Sequence, residues 1–197
     1  MAGNVFSADK AALRREAESR RRTLSPEVVK AWGGEVQAHL AALRLFGAGT
    51  RVAVYDAQPF EVPLADFIAR LVTLGAVPLF PRVVKGSREL CFHEVRGEAW
   101  VPGPLGLRQP SPDAPRRELA EIDVFIVPGA AFTRDGRRLG RGGGYYDATL
   151  ARRRADARTI GVVFELNVVS ALPTEPHDVR VDFLATERGV LDTTPRR

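Results

Sequence analysis

The 197-residue sequence contains one cysteine, Cys91, and only three lysines. A single cysteine excludes an internal disulfide and any metal site built from several cysteines. No apolar stretch is long enough to cross a bilayer, and the first residues lack the apolar segment of a signal peptide. We therefore expect a cytoplasmic protein that has no membrane partner.

Positive charge predominates, and arginine supplies nearly all of it. The 29 lysine and arginine residues outnumber the 24 acidic residues, which gives a formal net charge of +5. The arginines are spread along the chain, and no basic segment is interleaved with aromatic residues. A nucleic-acid partner would require such a segment, so we expect none. A small polyanionic substrate accounts for the same charge, because a positive surface attracts it.

Predicted helices and strands alternate through most of the chain. Helices are predicted at 9–22, after the N-cap Ser25, within 62–75 and at 145–155, and strands at 51–55, 76–83, 90–95, 122–127, 159–164 and 181–187. This alternation predicts one α/β domain over residues 1–197, with three layers in which helices flank a mostly parallel central sheet. The proline- and glycine-rich residues 101–121 are predicted to form a long ordered loop.

A glycine-rich run, RLGRGGGYYD, extends from Arg138 to Asp147, between the predicted strand 122–127 and the helix predicted to start at Tyr145. Backbone N–H groups before a helix N-terminus lack internal partners, and together with the helix dipole they favour anions. Glycine lets the backbone approach phosphate oxygens, and the guanidinium groups of Arg138 and Arg141 suit phosphate. The run therefore predicts a phosphate-binding loop, with a glycine-rich surface turn as the alternative. It contains neither a Walker A sequence nor a dinucleotide fingerprint.

Several charged side chains could complete such a site. Lys10 and Arg14 lie four residues apart, and therefore on one face of the first predicted helix. Asp147 follows the two tyrosines, and Asp178 and Asp182 stand before or within the last predicted strand. Carboxylates are the usual protein ligands of magnesium. The alternative for each of these residues is a solvent-exposed or capping side chain.

Glu61 lies in the loop that follows the predicted strand ending at Tyr55. An acid at the end of a strand can bind a heterocycle that presents several hydrogen-bond donors. The alternative is an acid placed near the N-terminus of the next helix, where negative charge is favourable.

The motifs together resemble those of the 5-formyltetrahydrofolate cyclo-ligase family, also called methenyltetrahydrofolate synthetases. They are K-x-x-L-R at Lys10 to Arg14, VYDAQPFEV, FPR at Phe80 to Arg82, VPGAAF at Val127 to Phe132, G-x-RLGRGGGYYD from Gly136, and LPTEPHDVRVD. Their order and spacing cover about Lys10 to Val190. The resemblance implies a single α/β domain that uses ATP and Mg²⁺ to close 5-formyltetrahydrofolate into 5,10-methenyltetrahydrofolate. ADP and phosphate are released, and the formyl oxygen is phosphorylated on the way.

The same resemblance implies roles for individual residues. The nucleotide is expected to contact Lys10, Arg14, Arg138, Leu139, Gly140, Arg141, Gly142, Gly143, Gly144, Tyr145 and Tyr146. The folate substrate is expected to contact Asp56, Glu61, Arg141 and Tyr145, of which Arg141 and Tyr145 are catalytic, and Asp147 and Asp182 are expected to hold magnesium. The helix 9–22 is expected to pack near the nucleotide site. The expected partner is a reduced folate, with or without a polyglutamate tail, and the protein is expected to be a monomer.

Three positions depart from the pattern of the family. Thr133 stands where an aspartate is frequent, and Gly143 stands where some members have lysine. Leu105 stands where an aromatic residue commonly stacks on folate, so this departure concerns folate affinity rather than the type of reaction.

Overall fold

The computed structural model describes residues 6–95, 97, 100–104, 107–175 and 178–194. Leu105, one of the three departures from the family pattern, lies outside the described residues. Within the described part of the chain, no helix has the length and apolar character needed to cross a membrane.

Four α-helices form in the described residues: α1 (Phe6–Arg22), α2 (Pro26–Ala42), α3 (Ala65–Thr73) and α4 (Tyr145–Leu150). The predicted N-cap of α2 is confirmed, because the Ser25 side chain accepts a hydrogen bond from the Val28 N–H at 3.3 Å. Gly75 ends the third helix as predicted, with a left-handed φ of 75°. The fourth helix is shorter than predicted. Beyond it, the N–H groups of Arg152 and Arg153 bond three residues back, which tightens the chain into turns.

Each strand in the described residues has between two and seven residues. They are β1 (Arg51–Ala53), β2 (Val77–Val83), β3 (Leu90–Glu94), β4 (Trp100–Pro102), β5 (Arg108–Pro110), β6 (Arg116–Arg117), β7 (Val124–Pro128), β8 (Ala131–Thr133), β9 (Arg138–Leu139), β10 (Arg158–Val162), β11 (Val168–Val169), β12 (Phe183–Thr186) and β13 (Gly189–Asp192). Residues 101–121 are therefore not one long loop, because they contribute to β4, β5 and β6. The strand predicted at the end of the chain is also followed by a further strand, β13, that pairs with it.

The main sheet has eight strands in the order β13-β12-β10-β7-β1-β2-β3-β6. The five strands from β12 to β2 run parallel, and antiparallel strands extend the sheet at both edges. The predicted fold class, an α/β structure with a mostly parallel central sheet, is confirmed. In such a sheet, the carboxyl ends of the parallel strands meet at one edge, and ligands bind there.

Apolar side chains cover both faces of the sheet. Val36 and Leu40 of α2 and Phe67 and Leu71 of α3 are buried in one cluster on one face. Leu150 of α4 belongs to a second cluster on the opposite face. The parallel strands therefore lie between two helical layers, which explains their continuous apolar character.

Candidate functional site

A small pocket opens at the carboxyl ends of β1, β7 and β10. Its lining residues follow or end these strands, except for one side chain from α1; they are Arg21, Tyr55, Phe60, Glu61, Val62, Pro128, Gly129, Val162, Val163 and Phe164. The walls are mostly apolar, and two charged side chains face the pocket, the acid Glu61 and the cation Arg21. Apolar walls with a few polar groups are typical of a small-molecule site, but this pocket is much smaller and has room for about one water molecule.

The turn after β1 fixes Glu61 at this pocket. Phe60 is the one non-glycine residue among those described with a left-handed φ, 66°. In the same turn the Glu61 Oε2 atom accepts the Gln58 N–H at 2.8 Å, and Glu61 is only 8% exposed. A left-handed aromatic residue is strained, and such strain is common at functional sites.

The glycine run meets the pocket through Arg141. The Arg141 Nη2 atom donates to Glu61 Oε1 at 2.6 Å, and the arginine side chain is half exposed. Gly142 and Gly144 have left-handed φ values of 104° and 69°, which other residues rarely adopt. The ring of Tyr145 lies against Gly143, where an added Cβ would come within 2.8 Å of it.

Helix α1 packs on the same loop. The Arg14 Nε atom donates to the Gly140 carbonyl at 2.8 Å, and Ala17 is buried with Leu139. Asn167, which is fully buried, donates from Nδ2 to the carbonyls of Ala17 and Ala130, both at 3.0 Å. These contacts join the helix to the carboxyl end of β7.

Lys10, one turn before Arg14, contacts the segment that precedes β12. Its Nζ atom lies 3.0 Å from Glu175 Oε1 and 3.2 Å from Asp178 Oδ2. Burial alone would lower the pKa of Lys10, but the hydrogen bonds that its ammonium donates to these two carboxylates outweigh burial and raise the pKa. A cation and two carboxylates therefore stand beside the glycine run.

Arg138 and Asp147 form a buried ion pair below the loop. The Arg138 Nη2 atom donates to Asp147 Oδ1 at 2.7 Å, and the side chains are 3% and 16% exposed. The guanidinium also lies 5.6 Å from the Tyr146 ring centroid. In the described residues, neither the Arg138 Nε atom nor the Tyr146 hydroxyl has a hydrogen-bond partner. Burial raises the pKa of Tyr146.

Asp56, the residue after Tyr55 of the pocket lining, is also paired. It receives two hydrogen bonds from Arg108, at 2.7 and 2.9 Å, and the guanidinium of Arg108 lies 4.5 Å from the centroid of the Trp100 ring. This bidentate contact holds the β4–β5 hairpin against Asp56, three residues beyond the end of β1.

Comparison with known proteins decides the family. The model of the 5-formyltetrahydrofolate cyclo-ligase family matches residues 6–187. The chain is 33% identical over 192 residues to a 5-formyltetrahydrofolate cyclo-ligase of Mycolicibacterium smegmatis, covering 92% of this chain and 96% of that protein. The chain belongs to the 5-formyltetrahydrofolate cyclo-ligase family. The resemblance of the motifs and the enzyme class that it implies are thereby confirmed.

Two solved structures of similar proteins support the same fold. The structure of the Aquifex aeolicus 5,10-methenyltetrahydrofolate synthetase is 29% identical with a TM-score of 0.83, covering 95% of this chain and 94% of that one. The Mycoplasma pneumoniae synthetase is 24% identical with a TM-score of 0.76, covering 91% of this chain and 99% of that one.

For this cyclo-ligase chain, the structure brings together most of the residues that the sequence singled out. Arg14 contacts the glycine run at Gly140, and Arg141 of that run donates a hydrogen bond to Glu61. Arg138 is the exception among the cations. Its guanidinium is buried against Asp147, so the expectation that this side chain contacts phosphate finds no support in the geometry.

Asp182 does not share a location with Asp147, contrary to the expected metal pair. Its Oδ2 atom accepts the Thr159 N–H at 2.8 Å and the Thr159 hydroxyl at 2.9 Å, at the amino ends of β10 and β12. Arg138, the partner of Asp147, reaches Pro128 at the carboxyl end of β7. Thr159 pairs with Phe125, and three residues of strand separate Phe125 from Pro128, about 10 Å at roughly 3.3 Å per residue. The two carboxylates therefore belong to opposite edges of the sheet.

Two further residues of the site, Arg21 and Asn167, were not predicted from the sequence. Arg21 lies eleven residues after Lys10 and seven after Arg14, so helical spacing could have placed it on their face. Asn167 carries no such signal, because its contacts are with residues far away in the sequence. Among the described residues, no group of three histidine, cysteine or acidic side chains is arranged to hold a metal by itself.

Proposed function

We propose that this chain catalyses the ATP-dependent cyclisation of 5-formyltetrahydrofolate to 5,10-methenyltetrahydrofolate, with release of ADP and phosphate. Family membership supports the reaction. The observation that carries the assignment in this chain is the bond between Arg141 and Glu61 at 2.6 Å. It joins the loop suited to phosphate to the acid that lines the apolar pocket, so a nucleotide and a heterocycle would bind side by side.

The nucleotide phosphates are assigned to the surface formed by α1 and the glycine run. Arg14 already contacts the loop backbone, and Lys10 stands one turn away on the same face. Gly142, Gly143 and Gly144 are exposed, so their backbone N–H groups are accessible to a ligand. Backbone N–H groups and cations together neutralise the charge of phosphate oxygens.

The heterocycle of the folate is assigned to the pocket at the strand ends. Glu61 is buried there and accepts hydrogen bonds, so it complements a ring edge that presents N–H donors. Arg141, which is half exposed, can exchange its bond with Glu61 for contact with the reacting groups. Tyr145 stands next to the glycine run and is only partly buried.

Magnesium is assigned to Asp178, with Asp147 as the second carboxylate. Asp178 forms an ion pair with Lys10. One turn further along α1, Arg14 contacts Gly140, two residues after Arg138, which pairs with Asp147. Asp147 uses Oδ1 for its ion pair with Arg138, and no bond to Oδ2 is found within the described residues. Magnesium is usually held by one or two carboxylates together with substrate phosphates and water, which fits this donor set. When bound, the ion would neutralise phosphate charge.

The chemistry requires positioning more than acid–base catalysis. The formyl oxygen attacks the γ-phosphorus and the bond to ADP breaks, so the formyl carbon becomes electrophilic. N10 of the folate then attacks that carbon, its proton passes to solvent, and the C–O bond breaks to release phosphate. Phosphoryl transfer depends on alignment and on charge neutralisation, which the cations of α1 and the glycine run can provide.

The proposal is tested with purified protein, ATP, Mg²⁺ and 5-formyltetrahydrofolate. We expect the near-ultraviolet absorbance of the methenyl product to increase, with one ADP formed per product. ATP hydrolysis measured with and without the folate distinguishes cyclisation from ATP hydrolysis that is independent of folate and from folate binding without turnover. Hydrolysis that does not depend on folate, or folate binding without turnover under any metal condition, would refute the cyclisation.

A further inference from the structure

Arg21 is a buried cation for which the described residues offer no hydrogen-bond or ion-pair partner. The residue is 8% exposed and lines the pocket with Glu61. Its Nε atom is inaccessible to solvent and makes no hydrogen bond, and no acceptor or ion-pair partner for its guanidinium is found in the described part of the chain. Burial lowers the pKa of Arg21, and the negative charge of Glu61 opposes this effect. Buried charges are normally paired, so an unpaired guanidinium facing a pocket indicates a group that binds a ligand.

The position of Arg21 along α1 separates it from the phosphate contacts. It is seven residues beyond Arg14, which is two helical turns or about 10 Å at roughly 1.5 Å per residue. Arg14 touches the glycine run at Gly140, whereas Arg21 faces the slot between Phe60, Pro128 and Phe164. These walls are apolar and suit a ring better than a phosphate group. The slot itself has room for only about one water molecule, so the side chains that line it must move apart to admit a ring.

The two charged groups of the slot have complementary hydrogen-bonding properties. A carboxylate such as Glu61 only accepts hydrogen bonds, and a guanidinium such as Arg21 only donates them. The ring edge of a 2-amino-4-oxo heterocycle presents N–H donors next to a carbonyl acceptor. An acid and a guanidinium lining one slot match this order of donor and acceptor groups.

We infer that Arg21 binds the C4 carbonyl oxygen of the substrate ring and makes the site selective for 4-oxo over 4-amino heterocycles. The inference rests on the proposed function, because it assumes that the folate ring enters this slot. A 4-amino group donates hydrogen bonds and would leave Arg21 without an acceptor. Leaving a buried polar group unpaired is the strongest basis for rejecting an analogue.

Arg21→Met tests this role, with Arg22→Met as the matched control. Methionine keeps an unbranched side chain and removes the donors. Arg22 is the next residue of the same helix, but its side chain is 64% exposed and pairs with Glu18. Binding of 5-formyltetrahydrofolate, of its 4-amino counterpart and of ATP is measured by calorimetry, and thermal unfolding is followed without ligand.

We expect Arg21→Met to weaken binding of the 4-oxo ligand roughly 10- to 100-fold, as for the loss of a hydrogen bond from a charged donor. Binding of the 4-amino ligand should stay within about twofold or improve, and ATP binding should not change. The melting temperature should rise, because a buried unpaired charge is removed. Arg22→Met should change none of these quantities.

Each other outcome identifies a different error. An equal loss for both ring ligands, or a selective loss of ATP binding, would overturn the assignment of Arg21 while leaving the proposed function intact. A fall in melting temperature with unchanged selectivity would show that Arg21 is structural. Wild-type protein that binds neither ring ligand would refute the proposed function itself, and this assignment with it.

Discussion

The ion pair between Arg138 and Asp147 should contribute to stability as well as to the site. Asp147→Ala would leave the Arg138 side chain, 3% exposed, with the Pro128 carbonyl at 3.5 Å as its one acceptor among the described residues. Removing one partner of a buried pair costs about 3–5 kcal/mol. The Asp147 side chain is 16% exposed, so water partly screens the pair, and we expect the lower end, about 3 kcal/mol.

This loss is large enough to measure by thermal unfolding. In a chain of this size, about 1 kcal/mol corresponds to a shift of roughly 2–4 °C in the melting temperature. Asp147→Ala should therefore lower the melting temperature by about 6–12 °C. The double variant Arg138→Met/Asp147→Ala should lose much less than the sum of the two single variants, because the pair couples them.

A matched control separates this pair from an ordinary surface contact. Glu89→Ala removes the partner of Arg152, whose side chain is 68% exposed, and exposed pairs contribute little to stability. We expect no measurable change in its melting temperature. An Asp147→Ala variant that melts like the wild type and yet loses activity would refute the structural role, and would leave Asp147 with a role toward the metal ion only.

Three further predictions follow from the site. Tyr146→Phe should raise the melting temperature, since the buried hydroxyl has no partner among the described residues. Burial raises the pKa of Tyr146 in the folded protein, so the wild type should lose stability as the pH rises above about 10, the unfolded value, toward the folded pKa, and the variant should not show this alkaline loss. Asp178→Asn should reduce turnover and raise the Mg²⁺ concentration required for half-maximal turnover. Asp182→Asn should lower the melting temperature without changing turnover per folded molecule. The reverse pattern would restore Asp182 as the metal ligand. Arg141→Ala should reduce turnover with little change in melting temperature, because the Arg141 side chain is 50% exposed. If this variant instead unfolds and its folded fraction keeps a normal KM for ATP, the contact between Arg141 and Glu61 is structural.

The alternation of apolar runs was sufficient to predict the parallel core of the fold. Runs such as 122–127 have the length and composition of covered strands, and β7 lies there. Strands of two or three residues, such as β6 and β9, carry no periodic signal because they have too few positions to alternate. They form through pairing with strands already in place, and this information is not local in the sequence.

The candidate site was also predictable only in part, because its contacts join residues that are far apart in the sequence. The glycine run and Glu61 were recognisable from their composition and position, but their contact joins residues 80 positions apart. The choice between Asp178 and Asp182 depends on strand direction. Both acids lie in one short segment, but Asp182 stands immediately before β12 and bonds to Thr159 at the amino edge of the sheet. Asp178, four residues earlier, contacts Lys10.

Helix α1 connects these observations, because it carries cations to both parts of the site. Lys10 and Arg14 reach the loop assigned to phosphate, and Arg21 reaches the slot assigned to the ring. A helix fixes the spacing of its side chains through its backbone hydrogen bonds, and Asn167 bonds its middle to the end of β7. The separation between the two sets of cations is therefore independent of the conformation of the exposed glycines. Since transfer of a phosphoryl group to the formyl oxygen requires the two substrates at a fixed distance, a docked helix is better suited to this task than the loop alone.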